Sequence, residues 1–208
     1  MRALIRGFDA FVIRVSHVFE FCDDRDCLLR LQLAQAPHAI PLPGGKIPAG
    51  APVLVLHFWN EHMPAIPASG PDLAWGKRTA RLFLHSLRAA AGFLQSQPDL
   101  KAVQAIGGVT VLLIPGDPQG GGTLARRFGF TVLPYHNPLG RFGEFWENLY
   151  TWALIWTYNP ASLKYHRLFQ IRRSEIWMSR GEFLRHYGCL EPPPVARLSG
   201  NQSSDARP

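Results

Sequence analysis

The chain has 208 residues, of which 47% are hydrophobic and 12% aromatic, and its formal net charge is +7. This length and composition predict one globular domain over residues 1–190, followed by a disordered tail over residues 191–208. The basic charge favours anionic partners. However, the basic residues are dispersed and no nucleic-acid-binding motif is present, so no nucleic-acid partner is expected.

The cysteines and the first residues bear on the compartment. Cys22, Cys27 and Cys189 fit no metal-binding spacing, which is typical of free thiols in a reducing compartment. Charged residues interrupt the N-terminal segment where an export signal needs an apolar core, and no apolar stretch of about 18 residues occurs. We therefore expect a cytoplasmic protein without a membrane-spanning helix.

Residues 3–21 have the periodicity of an amphipathic helix. Their apolar side chains recur at spacings of three and four, while Arg2, Arg6, Asp9 and Arg14 lie elsewhere around the helix. Such a helix usually covers a sheet, and this packing is the favoured interpretation. The alternative is a basic amphipathic helix that lies on a membrane surface, at its inner face.

Two strands and a long helix follow. Alternating polarity predicts a strand at residues 27–33, and an apolar run predicts a central strand at residues 52–59. The apolar stripe that comes next predicts a helix to about residue 95, with Ser69 or Asp72 as its N-cap.

The second half of the chain alternates in the same way. Residues 103–114 predict a strand in which Gly107 and Gly108 mark a bulge or a close backbone approach. The remaining predicted elements are a short helix at 124–128 ended by Gly129, a strand at 130–133, a helix at 139–158 and a last helix opened by the capping box Ser179–Glu182. Strands that alternate with helices predict a single layered α/β or α+β domain.

The candidate catalytic residues lie where the predicted central strand ends. His57, Asn60 and Glu61 follow its apolar run, and a His beside a carboxylate can act as a general base while Asn holds a carbonyl or hydroxyl. The spacing with His62 differs from metalloprotease motifs, and Pro64 opposes the helix that those motifs need, so no metal is expected. The alternative is a structural His, with the other polar side chains at the surface.

Four residues at the start of the predicted long helix form a candidate phosphate site. Cations at Lys77 and Arg78 oppose the helix dipole unless an anion binds there, and Gly76 and Thr79 complete the pattern. The alternative is a set of solvated basic side chains. The triple glycine at residues 120–122 is a weaker signal, compatible with a mobile connection.

Residues 142–158 contain three Trp and two Tyr. The stretch is too short to span a bilayer, and core packing is the favoured interpretation. The alternative is a groove for an amphiphilic ligand, or contact with lipid headgroups.

Residues 50–135 resemble the second half of the GNAT acyltransferase fold. The order of strand, long helix, strand, glycine-rich loop and short helix is shared, and Phe128-Gly129-Phe130 matches the family's ending of the short helix. The resemblance implies a mixed central sheet and an acyl-CoA co-substrate bound at the start of the long helix. Where that family often carries a tyrosine as general acid, this chain has Ala125.

Most of residues 28–188 also resemble the YkoP-like domain family. The matching pieces occur in chain order at residues 47–50, 56–60, 103–110, 128–130 and 176–188. That domain occurs alone or attached to polysaccharide deacetylases, so the resemblance implies work on cell-envelope glycans or glycolipids. The metal motif of the deacetylases themselves is not found in this sequence.

These patterns lead to two hypotheses of different classes. In the first, the protein is an acyltransferase-like enzyme, peripheral at the membrane, that acts on an amphiphilic lipid or glycan precursor of the cell envelope. His57 is then the general base, oriented by Glu61, and Asn60 holds the acceptor or acyl carbonyl. In the second, the chain is a non-catalytic module that binds a lipid or a partner enzyme, and Ala125 favours this alternative.

Overall fold

The computed structural model describes residues 2–67, 69–111, 122–158, 160, 163, 171 and 173–188. The helices within these ranges are α1 (Arg2–Val15), α2 (Leu73–Ser96), α3 (Gly122–Arg127), α4 (Gly140–Tyr158), α5 (Arg180–Tyr187) and a short 3-10 helix (Pro98–Ala102). The strands are β1 (Leu29–Gln35), β2 (Ile40–Leu42), β3 (Gly45–Ile47), β4 (Pro52–Phe58), β5 (Ala105–Thr110), β6 (Thr131–Pro134) and β7 (Ser174–Ser179). The predicted tail, Cys189 and most of the glycine-rich loop lie outside the described residues.

The main sheet has five strands in the order β1-β4-β5-β7-β6. Only the β4–β5 pair is parallel, and the other three pairs are antiparallel. The layered α/β class is therefore confirmed, and so is the central position of β4. Strand β7 was not among the predicted elements, because both of its faces are buried and it shows no simple alternation.

Helix α2 covers one face of this sheet. Asp72 is its N-cap and accepts a hydrogen bond from the amide of Trp75 at 2.7 Å, which decides between the two predicted caps. The fully buried stripe of Leu87, Ala90 and Leu94 packs in one cluster with core residues of the sheet. Each buried leucine contributes about 1.5–3 kcal/mol, so this stripe is a main support of the fold.

The opposite face of the sheet carries a smaller and partly polar core. Val53, Ala105 and Trp177 pack there with Ile40 of the β2–β3 hairpin. The buried carboxylate of Glu175 accepts a hydrogen bond from Nε1 of Trp177 at 2.8 Å and lies 3.2 Å from Nε2 of His38. The buried carboxylate therefore has two polar partners, as a polar group in the interior requires.

The predicted close backbone approach in β5 is confirmed. A Cβ atom on Gly107 would lie 1.9 Å from the carbonyl oxygen of Ile176 on the neighbouring strand. Gly108 has a φ of +149°, and a Cβ there would lie 2.9 Å from Cγ1 of Val55. Both glycines are therefore required by the way β5 fits between β4 and β7.

Helix α1 differs from its prediction in length and in packing. It ends at Val15, because the chain turns at His17, which has a φ of +53°, and Phe19 then pairs with Leu31 as a β-bridge. The expectation that its apolar stripe packs on the core was wrong. Leu4, Phe8, Phe11 and Val15 of that stripe are exposed, whereas Phe19, beyond the end of the helix, packs against the core.

The physical reason is that α1 packs through its polar side on α4. Asp9 is only 4% exposed and accepts hydrogen bonds from the hydroxyls of Tyr150 at 2.6 Å and Tyr158 at 3.1 Å. The guanidiniums of Arg2 and Arg6 lie over the rings of Trp156 and Tyr158. Hydrogen bonds to a charged acceptor contribute about 1.5–3 kcal/mol each, enough to determine which side of a short helix faces the protein.

Candidate functional site

His57 lies near the end of β4, on the sheet face opposite α2. Its Nε2 is 2.8 Å from Oε1 of Gln32 on the neighbouring strand β1. Because an amide oxygen only accepts, Nε2 carries the proton and Nδ1 keeps the lone pair of the neutral imidazole. Burial lowers the pKa of His57 below its ordinary value of 6.5, which favours this neutral form.

Glu61 has partners other than the predicted one. One carboxylate oxygen is 3.3 Å from the hydroxyl of Tyr158, and the other is 3.8 Å from the guanidinium of Arg30. Arg30 stands directly opposite His57 in the β1–β4 register, and it also pairs with Glu20. The structure therefore orients His57 through Gln32 and places Glu61 in a separate polar cluster, so the predicted His57–Glu61 contact is not formed.

The segment just after β4 is held by ring contacts. The guanidinium of Arg30 lies 4.4 Å from the centre of the Trp59 ring, whose other neighbour is His62 at 3.7 Å between ring centres. His62 also uses Nδ1 to contact the backbone oxygen of Cys27 at 2.8 Å. His62 is thus a structural residue that fixes the turn from which Asn60 and Glu61 project.

An open cleft of about 410 Å³ lies beside this turn. Its lining combines polar groups with two apolar side chains, and comprises Arg6, Asn60, Glu61, Met63, Ala65 and Tyr158. Three separate elements meet there, namely α1, the segment after β4 and the end of α4. The cleft thus offers a cation, a carboxylate, an amide and a phenol to a ligand, with an apolar side as well.

The phenol in the cleft is a hydrogen-bond donor at neutral pH. Burial and the neighbouring carboxylates of Glu61 and Asp9 raise the pKa of Tyr158 well above its ordinary value of 10. The same causes, burial and Asp9, raise the pKa of Tyr150. A protonated Tyr158 has one proton to donate between Asp9 and Glu61, and the Glu61 carboxylate keeps further acceptor sites for a ligand.

The four residues of the predicted phosphate site lie one turn inside α2. The amide of Gly76 already donates to the backbone oxygen of Asp72 at 2.9 Å, and the Asp72 carboxylate holds the amide of Trp75. Lys77 and Arg78 are exposed. An acidic cap occupies the place that an anion would take, so the geometry lends little support to phosphate binding at this helix start.

The pairing of the two parallel strands ends before His57. The β4–β5 register runs from Val53 with Ala105 to Val55 with Gly107, although both strands continue for three more residues. Within the described part of the chain, the buried hydroxyls of Thr79 on α2 and Thr110 on β5 have no hydrogen-bond partner. Ligands often bind at the carboxyl ends of parallel strands, and the β4–β5 pairing stops toward that end.

Sequence reasoning found Asn60 and Glu61 but missed the partners of Glu61. Arg30 was visible as the polar side of an alternating strand, and a known β1–β4 register would have placed it opposite His57. Tyr158 and Arg6 come from opposite ends of the chain, and no spacing in the sequence links them to Glu61. The cleft therefore depends on tertiary packing that a local pattern does not encode.

Two further properties concern metals and membranes. The described residues contain no group of three or more His, Cys, Asp and Glu side chains that could hold a metal ion. Among the helices that the structure describes, none has the length and apolar character needed to cross a bilayer.

Comparison with known proteins places the chain in a family. We found no match among curated proteins and none among solved structures. The profile of the YkoP domain matches residues 2–187, which includes every helix and strand described above. The chain therefore belongs to the YkoP domain family.

Proposed function

We propose that the protein binds an amphiphilic molecule, a lipid or glycan precursor of the cell envelope, whose hydroxyl-bearing head occupies the cleft. The single observation that carries this proposal is the mixed lining of the cleft. Asn60 and Glu61 can accept hydrogen bonds from hydroxyls, Arg6 can bind an acidic group, and Met63 supplies apolar contact. Binding without chemistry fits the position of His57, which contacts Gln32 and does not line the cleft.

An acyltransferase-like enzyme remains the second candidate. The observation that favours it is the parallel β4–β5 pair, whose pairing ends two residues before His57. In that case Nδ1 of His57 is the general base for an acceptor hydroxyl, and Lys77 and Arg78 contact the phosphates. The GNAT-like order of β4, α2, β5 and α3 also supports this candidate.

One calorimetric experiment separates the two candidates. Octyl glucoside below its micellar concentration, free glucose and octanoyl-CoA are each titrated into the full-length protein. We expect heat from octyl glucoside, and affinity for it about tenfold lower in each of the variants Glu61→Gln and Asn60→Ala, because each loses one hydrogen bond to the head. The matched control is Glu144→Gln, an exposed acid on α4 that does not line the cleft.

The outcomes assign the function in different ways. Equal affinity of the wild type and both cleft variants for octyl glucoside would contradict the binding proposal. Heat from octanoyl-CoA that is lost in Lys77→Ala and Arg78→Ala would instead support the enzyme candidate.

A further inference from the structure

Helix α1 and the first half of α4 expose apolar side chains that the fold leaves uncovered within the described residues. We call them the outer apolar surface, formed by Leu4, Phe8, Phe11 and Val15 of α1 with Phe142 and Trp146 of α4. On α1 these side chains project away from Asp9, the residue buried against α4. The apolar stripe therefore faces outward because of how α1 packs, and it is not a part of the core that has come loose.

Helix α1 is held against α4 beside the outer apolar surface. Asp9 contacts both Tyr150 and Tyr158 of α4, so the side of α1 opposite its apolar stripe faces that helix. Phe8 of the stripe packs edge-on against Tyr150 at 5.7 Å between ring centres. Trp146 precedes Tyr150 by four residues and so lies on the same face of α4, which brings the two sets of apolar side chains to the same ring.

The exposed charged side chains of α1 are cationic. The helix carries the three arginines Arg2, Arg6 and Arg14, all exposed, and its one acid is Asp9. Because Asp9 is buried on the protein side, the charge that α1 presents to its surroundings is cationic. A short helix with an apolar face and exposed arginines has the composition of a helix that lies in the interface of an anionic membrane.

We propose that the outer apolar surface docks the protein on an anionic lipid bilayer. Leu4, Phe8 and Phe11 enter the boundary between headgroups and acyl chains, and Trp146 lies at headgroup level, where indole rings are favoured. Arg14 remains near the phosphates, whereas Arg2 and Arg6 stay over the rings of Trp156 and Tyr158. The docking does not depend on what the cleft binds, although it brings the cleft, which Arg6 of α1 helps to line, close to the lipid.

The test is co-sedimentation of the full-length protein with vesicles. Vesicles of equal parts phosphatidylglycerol and phosphatidylcholine are compared with vesicles of phosphatidylcholine alone. We expect binding to the anionic vesicles that weakens with added salt, and a partition coefficient lower by about tenfold for each of Leu4→Gln and Phe11→Gln. Arg14→Gln should weaken binding to the anionic vesicles by about fivefold and leave binding to the phosphatidylcholine vesicles unchanged.

The matched control is Leu73→Gln, at the start of α2. Leu73 is 74% exposed and Leu4 is 77% exposed, so the two substitutions remove equal apolar exposure from different helices. Leu73→Gln should leave vesicle binding unchanged. As a direct readout, brominated acyl chains should quench tryptophan fluorescence less in Trp146→Phe than in the wild type.

Three results would overturn the proposal. The first is equal binding of the wild type and the Leu4→Gln/Phe11→Gln variant to anionic vesicles. The second is a loss in Leu73→Gln as large as in Leu4→Gln, which would indicate nonspecific adsorption. The third is a wild-type dimer on size exclusion that the double variant abolishes, which would assign the surface to a second copy of the chain.

Discussion

The position of His57 could be predicted from the sequence, but its role could not. The end of an apolar run identified the position, but the partner, Gln32, follows from a strand register that local patterns do not contain. Residues that act through neighbours distant in sequence, such as Arg30 and Tyr158, were missed for the same reason. At this scale the sequence predicts candidate groups, and packing decides their contacts.

The lowered pKa of His57 makes part of the stability dependent on pH. In the unfolded chain this residue titrates near 6.5, so just below that pH the unfolded state binds more protons than the folded state. Stability contributed by neutral His57 is therefore complete above pH 6.5 and is lost as the pH falls toward the folded pKa. We expect the decrease in Tm between pH 7.5 and pH 5.5, roughly one unit either side of that value, to be smaller in His57→Gln.

The control for this measurement is His136→Gln, because His136 is exposed. Its decrease in Tm over the same pH interval should match that of the wild type. A decrease in His57→Gln equal to that of the wild type would show that His57 does not contribute to the pH dependence.

At the scale of elements, most helices and strands follow from local rules. The Asp72 cap, the buried stripe of α2 and the Ser179–Glu182 capping box were all predicted and are confirmed. Strand β7 was missed because it is buried on both faces, and α1 was given the wrong packing because periodicity identifies an apolar stripe without telling what covers it. Amphipathicity alone does not distinguish a core-facing helix from one that faces outward.

Two glycines in different surroundings, Gly107 in β5 and Gly92 in α2, allow a prediction about stability. Gly107→Ala should destabilise the protein by more than about 3 kcal/mol, because its Cβ would overlap the backbone of Ile176 and force the strands apart. Gly92→Ala, inside α2 with no atom within 4 Å of the added Cβ, should stabilise by about 0.5–1 kcal/mol. Urea unfolding of both variants checks the pair, and similar free energies of unfolding in the two would contradict it.

At the scale of the whole molecule, the attachment of α1 to α4 connects parts of the chain that are far apart in sequence. The hydrogen bond between Asp9 and Tyr150 joins residues 141 positions apart. Nothing in a single sequence indicates a contact between residues so far apart. The layered class could be predicted from local patterns, whereas the cleft between α1, β4 and α4 could not.

The Asp9–Tyr150 pair can be measured by a double-mutant cycle. Asp9→Asn and Tyr150→Phe should each increase hydrogen exchange in α1. We expect a coupling free energy of about 1–3 kcal/mol between them, because the hydrogen bond has a charged acceptor and is shielded from water. Replacing Tyr150 in combination with Glu144→Gln instead should give additive effects, since Glu144 is exposed. Additivity of the Asp9–Tyr150 pair itself would contradict this attachment.

The same long-range attachment has a consequence for biosynthesis. Helix α1 leaves the ribosome well before Tyr150 and Tyr158, which follow it by more than 140 residues. At about 5–20 residues per second this takes about 7–30 seconds, during which Asp9 lacks its tyrosines. The nascent α1 is then a free basic amphipathic segment, so the newly made chain can reach a lipid surface before the domain that it belongs to has folded.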